Sequence, residues 1–191
     1  MSSRYLEYIS ISLATILLIV AISVHASPNP YHIEISKQSQ ELEVFDGDKI
    51  IKTFHIASGK GGNGSKRRMG DNKTPIGHYK IIDFNEDSKF YFFMQINYPN
   101  VLDAWHGYQN DLISSSEFKS IATAYANNNM PPQNTALGGY IGLHGIGDIT
   151  PEKLDIHGKF NWTEGCIALK NEEISELRNY ITIGTQVLIR E

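Results

Sequence analysis

The sequence predicts a mainly β domain with two short helices, and three observations lead to this fold class. From Tyr31 onward, apolar side chains alternate with polar ones at the period of a β-strand. Asp46-Gly47 lies between two such runs and predicts a tight hairpin, because glycine accepts the positive φ of the turn. Apolar residues recur at helical spacing in only two later stretches. This order of elements is neither a βαβ alternation nor a helical bundle.

The individual elements follow from the same patterns. Polar residues between two aromatic and β-branched runs predict a second hairpin. The first helix is expected to begin at a capping box, since Ser114 precedes Glu117 by three positions. The second helix is expected to be capped by Asn171, with Ile174, Leu177 and Ile181 facing inward. The predicted ranges are His78–Phe84 and Phe90–Ile96 for the second hairpin, Ser115–Ala126 for the first helix, Tyr140–His144 for a short strand, and Thr185–Ile189 for the last strand.

Two long glycine-containing loops interrupt these elements. Gly59–Gly77 has six glycines and no apolar period. Loops of this length in a compact domain often carry function, although composition alone equally allows a mobile insertion. Gly145–Gly158 is expected to be a second loop.

The amino terminus is predicted to direct export. Ile9–Val24 is uncharged and almost wholly apolar, and Val24-His25-Ala26 places small residues where signal peptidase reads. We therefore expect residues 1–26 to be a signal peptide and 27–30 a linker, and residues 31–191 have the length of one folded domain. An uncleaved anchor is the alternative, although the apolar run is slightly shorter than the roughly 20 residues that span a bilayer.

The charge balance argues against nucleic acid as a partner. The chain has 17 Lys and Arg against 21 Asp and Glu, for a formal net charge of −4. The predicted signal peptide contains Arg4 and Glu7, so its removal leaves this net charge unchanged. A basic excess, which would indicate nucleic acid or an anionic membrane surface, is missing.

Cys166 is the only cysteine in the sequence. Exported proteins usually pair their cysteines in disulfides, but this one has no internal partner. Three interpretations remain: an inert buried residue, an intermolecular disulfide, or a nucleophile. A cysteine attacks an acyl carbon as the thiolate, so the third interpretation requires a nearby imidazole.

Two histidines have the surroundings expected of that imidazole. His144 ends a short strand and is followed by Gly145, whose backbone could accept the Nδ1 proton and leave Nε2 free for the sulfur. His157 also precedes a glycine, but within the second predicted loop. Spacing favours His144 without excluding His157. The remaining histidines of the mature chain are less informative: His32, His55, His78 and His106.

Gly165 removes a side chain directly before the sulfur, where a substrate must approach. The Gly165 and Cys166 amides could donate to a developing oxyanion, as acyl transfer requires. The histidines and the cysteine do not fall at the short spacings of structural zinc motifs, so we expect no metal. We also expect no cofactor.

These residues resemble the active-site signature of the L,D-transpeptidases, the YkuD-type domain. Trp162–Ile167 (WTEGCI) follows Ile141–Gly145 (IGLHG), and in the family a histidine-glycine precedes a Ser/Thr-x-Gly-Cys element. Gly70–Tyr79 resembles the family's Gly-Asp-x-x-Thr-Pro-x-Gly-x-Tyr segment. The stretch from Leu42 to Gly59 resembles its opening hairpin. The four segments together span about residues 41–171.

The resemblance implies a β-sandwich or barrel with two or three short helices, and a cysteine that forms a thioester with peptidoglycan stem peptides. It implies that Cys166 is the nucleophile and His144 the general base and acid. Gly145 would be the backbone partner of the imidazole. Thr163, Glu164 and His157 are expected to line the substrate site.

Two features depart from the commonest family pattern. Twenty-two positions separate His144 from Cys166, as in a branch whose motif reads Trp-Thr-Asp-Gly-Cys. Ala168 stands where many members have an arginine. Carboxylate recognition would then need another cation, and Arg67 or Arg68 from the glycine-rich loop is the candidate.

Three functions agree with these residues: a transferase that makes wall cross-links, an exported cysteine amidase that cleaves such bonds or the bond to an outer-membrane lipoprotein, and a non-catalytic wall-binding module. The expected partners are peptidoglycan stem peptides, with that lipoprotein as a partner of the amidase. The resemblance implies a periplasmic setting.

Overall fold

The computed structural model describes residues 29–191, so the predicted signal peptide and the start of the linker lie outside the described residues. Within this range, eight strands form one sheet in the order β3-β2-β1-β8-β4-β5-β6-β7. The strands are β1 Tyr31–Ser36, β2 Glu41–Asp46, β3 Lys49–His55, β4 Gly77–Asn85, β5 Phe93–Ile96, β6 Gly142–His144, β7 Ile167–Ala168 and β8 Gln186–Arg190. The helices are α1 Val101–Gln109, α2 Ser115–Ala126, α3 Pro151–Lys159 and α4 Asn171–Leu177. The mainly β fold class is thus confirmed.

The sheet curls until its two ends meet. Ala57, just after β3 at one end, exchanges two backbone hydrogen bonds with Ala168 of β7 at the other, at 3.0 and 2.8 Å. A second bridge joins Gly59 to Thr163. We call these two bridges the seam. The seam places the glycine-rich loop directly beside the segment that contains Cys166.

Both predicted hairpins form. Asp46 pairs with Lys49 across the first turn, and Gly47 has a φ of 58° there. Strands β4 and β5 pair antiparallel, as the two aromatic runs predicted. Strand β8 lies between β1, to which it is parallel, and β4, to which it is antiparallel. The alternating apolar residues of β1 and β2 are fully buried and form part of one core: Ile33, Ile35, Leu42 and Val44.

Two of the four helices agree with the predicted elements. Helix α2 has the predicted bounds, and the Ser114 and Glu117 side chains form the expected capping box. Helix α4 also forms, but its N-cap is Lys170, and Asn171 is its first residue. The expectation that Asn171 caps the helix is therefore wrong. Its Oδ1 instead accepts hydrogen bonds from the Ile146 and Gly147 amides, at 2.9 and 3.2 Å.

The other two helices were missed because their buried faces are not apolar. Helix α1 buries Asp103, Ala104 and Gly107, while Leu102 and Trp105 are exposed. Helix α3 occupies most of the second predicted loop, and His157 is its only buried residue. A search for apolar residues at helical spacing cannot detect such helices, although Asn100 and Thr150 are good N-caps.

No helix among residues 29–191 has the length and apolar character that crossing a membrane requires.

The buried carboxyl group of Asp103 predicts an unusual pH dependence of stability. Burial raises its pKa to about 6, although hydrogen bonds from the Asn100 amide and the Tyr79 hydroxyl oppose that shift. The native state then binds this proton more tightly than the unfolded chain, so the contribution of Asp103 to stability is present below pH 4 and is lost as pH rises through 6. Two pKa units correspond to about 3 kcal/mol.

Urea unfolding of the wild type and Asp103→Asn at pH 4.5 and pH 7 measures this contribution. We expect the wild type to lose about 2 kcal/mol relative to the variant between the two pH values, because part of the effect is already lost at pH 4.5. The comparison cancels the opposite effect of His157, whose pKa burial lowers to about 4. An equal pH dependence of both proteins would contradict a titrating Asp103.

Candidate active site

His144 and Cys166 lie on neighbouring parallel segments of the sheet. His144 is the last residue of β6 and pairs with Ala168 of β7, and Cys166 lies two residues before Ala168. Successive side chains of a strand alternate between its faces, so this offset of two favours the same face for both residues. Both side chains line one cavity of about 740 Å³, which we call the active-site cavity.

The surroundings of His144 fix the tautomer of its imidazole. Nδ1 lies 2.6 Å from the Gly145 carbonyl oxygen. A carbonyl only accepts, so Nδ1 carries the proton and Nε2 keeps its lone pair. Burial lowers the pKa of His144 below its ordinary value, although this hydrogen bond opposes the shift. The imidazole is therefore neutral near pH 7 and able to accept a proton.

Aromatic rings hold His144 from two directions. Phe90 stacks on its ring at 4.4 Å between centroids, and Trp162 approaches edge-on at 6.0 Å. Gly145 permits this close arrangement because a Cβ there would lie 2.6 Å from Asn171 Oδ1 and 2.7 Å from the Phe90 carbonyl oxygen. The glycine after the histidine is thus a packing requirement as well as the source of the carbonyl.

The thiol of Cys166 is neutral in this arrangement. Its Sγ lies 3.5 Å from the Tyr140 carbonyl oxygen, to which the S–H donates. The residue is partly accessible from the cavity, but burial of the sulfur raises the pKa of the thiol to about 11, against a hydrogen bond from the Gly142 backbone. A neutral thiol thus shares the cavity with a neutral imidazole, and the thiol would have to lose its proton to act as a nucleophile.

Thr163 organises the turn before the sulfur. Its hydroxyl donates to the Cys166 carbonyl at 2.6 Å and accepts from the Gly165 amide at 3.1 Å. The Gly165 N–H is therefore occupied, which corrects the expectation that it points at an oxyanion. Of the two amides that were expected to donate to an oxyanion, the Cys166 N–H is therefore the one candidate left. Gly165 itself is required by a φ of 132°.

The expected cations and His157 lie outside the active-site cavity. Arg67 and Arg68 line a separate cleft with His106, so the structure does not support their role at the thiol. His157 is fully buried in α3 and does not line the active-site cavity either, in contrast to the expected substrate contact. Thr163 and Glu164 do line it.

Three lysines supply the positive charge of the active-site cavity instead: Lys60, Lys66 and Lys89. The Lys60 ammonium lies 3.8 Å from the exposed carboxylate of Glu164. Lys66 is almost fully buried, and its Nζ contacts Asp71 Oδ1 at 2.9 Å. The basic run in the glycine-rich loop was visible in the sequence, but which of its side chains turns toward the thiol depends on the path of the loop.

The tip of the glycine-rich loop is fixed by Asp71. Its carboxylate accepts from the Arg67, Arg68 and Lys73 amides and from the Lys66 ammonium. Burial raises the pKa of this carboxyl, but the hydrogen bonds outweigh that effect and lower it. The loop is therefore a defined wall of the active-site cavity and not a merely mobile insertion.

A further wall comes from the segment between α2 and β6, which the sequence did not mark as functional. It contributes Gln133, Asn134, Gly138, Gly139, Tyr140 and Ile141. The amide of Met69 in the glycine-rich loop donates to Ala136 of this segment at 2.8 Å. No pattern in the sequence predicted this contact.

His157 supports the indole that packs against His144. Its Nδ1 accepts a hydrogen bond from Trp162 Nε1 at 3.4 Å. Burial is the main reason that the pKa of His157 falls to about 4, so the ring is neutral near pH 7 and Nδ1 keeps its lone pair. The Nε2 atoms of His157 and His55 are buried without a partner among residues 29–191.

Replacing Trp162 with phenylalanine should destabilise the protein. The variant keeps an aromatic ring but leaves His157 Nδ1 without its donor, which costs about 1 to 3 kcal/mol for a buried polar atom. Thermal and urea unfolding would measure the loss. Trp105→Phe is the matched control, because Trp105 is half exposed and we expect a change within about 0.5 kcal/mol. Equal stability of the two variants would contradict the supporting role of this hydrogen bond.

Within residues 29–191, no three His, Cys, Asp or Glu side chains gather in a group that could hold a metal ion.

The protein is thus a mainly β domain in which a cysteine and a histidine line the same cavity, at one end of a curled sheet. The family described as the L,D-transpeptidase catalytic domain, YkuD, matches residues 30–189. The chain belongs to this family, which confirms the resemblance drawn from its motifs.

A curated relative and two solved structures show how far the similarity extends. The chain is 31% identical over 87 residues to YafK of Escherichia coli (strain K12), which has a provisional L,D-transpeptidase name. That match covers 42% of this chain and 35% of YafK, so it spans about a third of this curated relative.

The fold is similar to Bd1075 of Bdellovibrio bacteriovorus, with a TM-score of 0.53 and 23% identity over 85% of this chain and 48% of that one. It is also similar to Pgp2 of Campylobacter jejuni, a helical cell shape determining protein, with a TM-score of 0.53 and 23% identity over 84% and 47% of the two chains. These two likenesses concern the fold.

Proposed function

We propose that this protein is a cysteine acyltransferase that acts on the stem peptides of peptidoglycan through a Cys166 thioester. One observation carries this proposal: His144 Nδ1 is tied to the Gly145 carbonyl, so the proton-accepting Nε2 belongs to a side chain that shares its cavity with the thiol. Membership of the L,D-transpeptidase family supports the substrate class.

The first half of the reaction forms the thioester. His144 Nε2 takes the proton from Sγ while the sulfur attacks the carbonyl carbon of a stem peptide. The Cys166 amide then faces the oxyanion of the tetrahedral intermediate. His144 returns the proton to the departing amine, the C–N bond breaks, and the acyl group remains on the sulfur.

The second half transfers the acyl group. An acceptor amine loses a proton to His144 Nε2 and attacks the thioester carbonyl, and the C–S bond breaks with the proton returning to Sγ. Water in place of the amine gives hydrolysis. Because water is abundant, transfer requires that an acceptor site hold the amine near the thioester.

The charge of the active-site cavity suits an anionic peptide. Stem peptides carry carboxylates, and Lys60 and Lys89 present exposed ammonium groups at the wall of the cavity. The absent arginine at position 168 is thereby offset by lysines from other segments. A cavity of about 740 Å³ falls within the size range of small-molecule and cofactor sites.

We propose further that the protein works in the periplasm after export by its apolar leader. N-terminal sequencing of the mature protein tests this step. A mature chain that begins at Ser27 supports cleavage, and one that begins at Met1 supports an anchor.

Incubation of the mature protein with purified muropeptides tests the activity. New cross-linked dimers, resolved by chromatography and mass spectrometry, identify a transferase. Shortened stems without dimers identify hydrolysis, and release of lipoprotein from intact walls identifies the amidase. Products that also appear with Cys166→Ala would contradict the proposal, since that variant lacks the nucleophile.

A carbapenem offers a second test of the thiol. We expect the folded protein to gain the mass of one carbapenem molecule, located on Cys166 by peptide mapping. The Cys166→Ala protein is the control. A wild-type protein without an adduct would contradict an acyl-accepting sulfur.

A further inference from the structure

A basic cleft lies apart from the active-site cavity. It measures about 390 Å³ and is lined by Arg67, Arg68, His106, Gly107, Asn110 and Leu112. Two arginines and a histidine thus line one concave site, on a chain whose net charge is −4. This local excess of positive charge therefore differs from the rest of the molecule.

The two arginine side chains are exposed and can bind an anion, although the charge of Arg67 also opposes the rise in the pKa of Asp103 that burial causes. Among residues 29–191, neither guanidinium is within ion-pair distance of a carboxylate. Their backbone amides, however, both donate to Asp71 Oδ2, at 2.7 and 3.0 Å. The exposed side chains thus project from a backbone that is already fixed, which reduces the entropy lost when a ligand binds.

The glycine-rich loop separates the cleft from the active-site cavity. Lys66, Met69 and Gly70 line the active-site cavity, whereas Arg67 and Arg68, which lie between them in sequence, line the cleft. The other side of the cleft is the carboxyl end of α1, where Gly107 packs against Leu137. A polymer that enters one cavity therefore passes the loop to reach the other.

We propose that the basic cleft binds a carboxylate of peptidoglycan that belongs to a stem other than the reacting one. This inference rests on the proposed function, because it takes the wall polymer as the ligand. Arginine suits the role, since its planar guanidinium donates two parallel hydrogen bonds to a carboxylate. The cleft would thereby select substrates with neighbouring stems over isolated ones.

Binding to the inactive Cys166→Ala protein tests the cleft without turnover. The probes are a fluorescent muropeptide monomer with one stem and a fluorescent cross-linked dimer with two, measured by polarisation at fixed salt. We expect Arg67→Ala/Arg68→Ala to weaken binding of the dimer roughly tenfold, the size expected when charged hydrogen bonds are lost. Binding of the monomer should change less than about twofold.

Lys49→Ala/Lys153→Ala is the matched control, because it removes two exposed positive charges outside the cleft. Circular dichroism verifies that both double variants fold. Equal dimer affinity in the arginine variant and its parent would overturn the inference, as would equal weakening by the lysine control. An equal loss for the monomer would instead place the arginines at the reacting stem and also overturn it. If the parent Cys166→Ala protein binds neither probe, the proposed function fails, and the assignment of the cleft fails with it.

Discussion

Replacing Cys166 with alanine is expected to abolish every acyl product, whether the acceptor is an amine or water. The sulfur is the only thiol in the chain, and no other side chain of the site can form the thioester. The loss should appear in the turnover number, since the substitution leaves the walls of the active-site cavity in place. Single-turnover assays with muropeptides would measure it.

Cys166→Ser distinguishes the effect of losing the thiol's reactivity from the effect of changing the shape of the site. The hydroxyl fills nearly the same volume, but it is a far weaker nucleophile than a thiol at neutral pH, so we expect activity to fall by at least about a thousandfold. Muropeptide binding by both variants should remain within about twofold of wild type. Substantial turnover by the alanine variant would exclude Cys166 as the nucleophile.

Replacing His144 with alanine is expected to lower kcat by about 10² to 10⁴, the usual contribution of a general base. The protonation states of Cys166 and His144 also predict how activity depends on pH. The pKa of the thiol is raised to about 11 and that of His144 is lowered. Activity should therefore rise with pH as His144 loses its proton below pH 6.5, and then stay level through neutral pH.

Alkylation of the free enzyme by iodoacetamide distinguishes this arrangement from a preformed thiolate. A neutral thiol reacts slowly at pH 7 and faster toward pH 11, whereas a thiolate–imidazolium pair would already react at pH 5 to 6. His144→Gln is the matched variant, because it keeps a polar side chain without a titrating group. Rapid alkylation of the wild type at pH 5 would show that the proton has moved before the substrate arrives.

The sequence predicted those parts of the fold that depend on local rules. Asp46-Gly47 specified a turn, Ser114 and Glu117 specified a helix start, and alternation marked the buried faces of β1 and β2. Helices α1 and α3 were not predicted because their contacts with the domain are made by small or polar residues. Here tertiary packing, not amphipathic pattern, determines the helix.

The site shows the same division. His144 and Cys166 were singled out by their glycine neighbours, which is a local signal, but His157 also precedes a glycine, and only the resemblance to the family motif separated the two histidines. The orientation of Arg67 and Arg68 depends on Asp71, which turns their backbone amides inward, and this could not be inferred from a run of basic residues. The burial of His157 depends in the same way on where α3 docks.

The seam has a consequence for how the protein responds to heat. Strand β7, which follows Cys166, has only two residues in the sheet, and its outer side is held by Ala57. Opening those few hydrogen bonds would leave the Cys166 segment held on one side only, by the pairing of β7 with β6, while the rest of the sheet keeps its packing. Thermal inactivation should thus precede the loss of secondary structure, so that catalysis, and not the bulk of the fold, sets the upper working temperature.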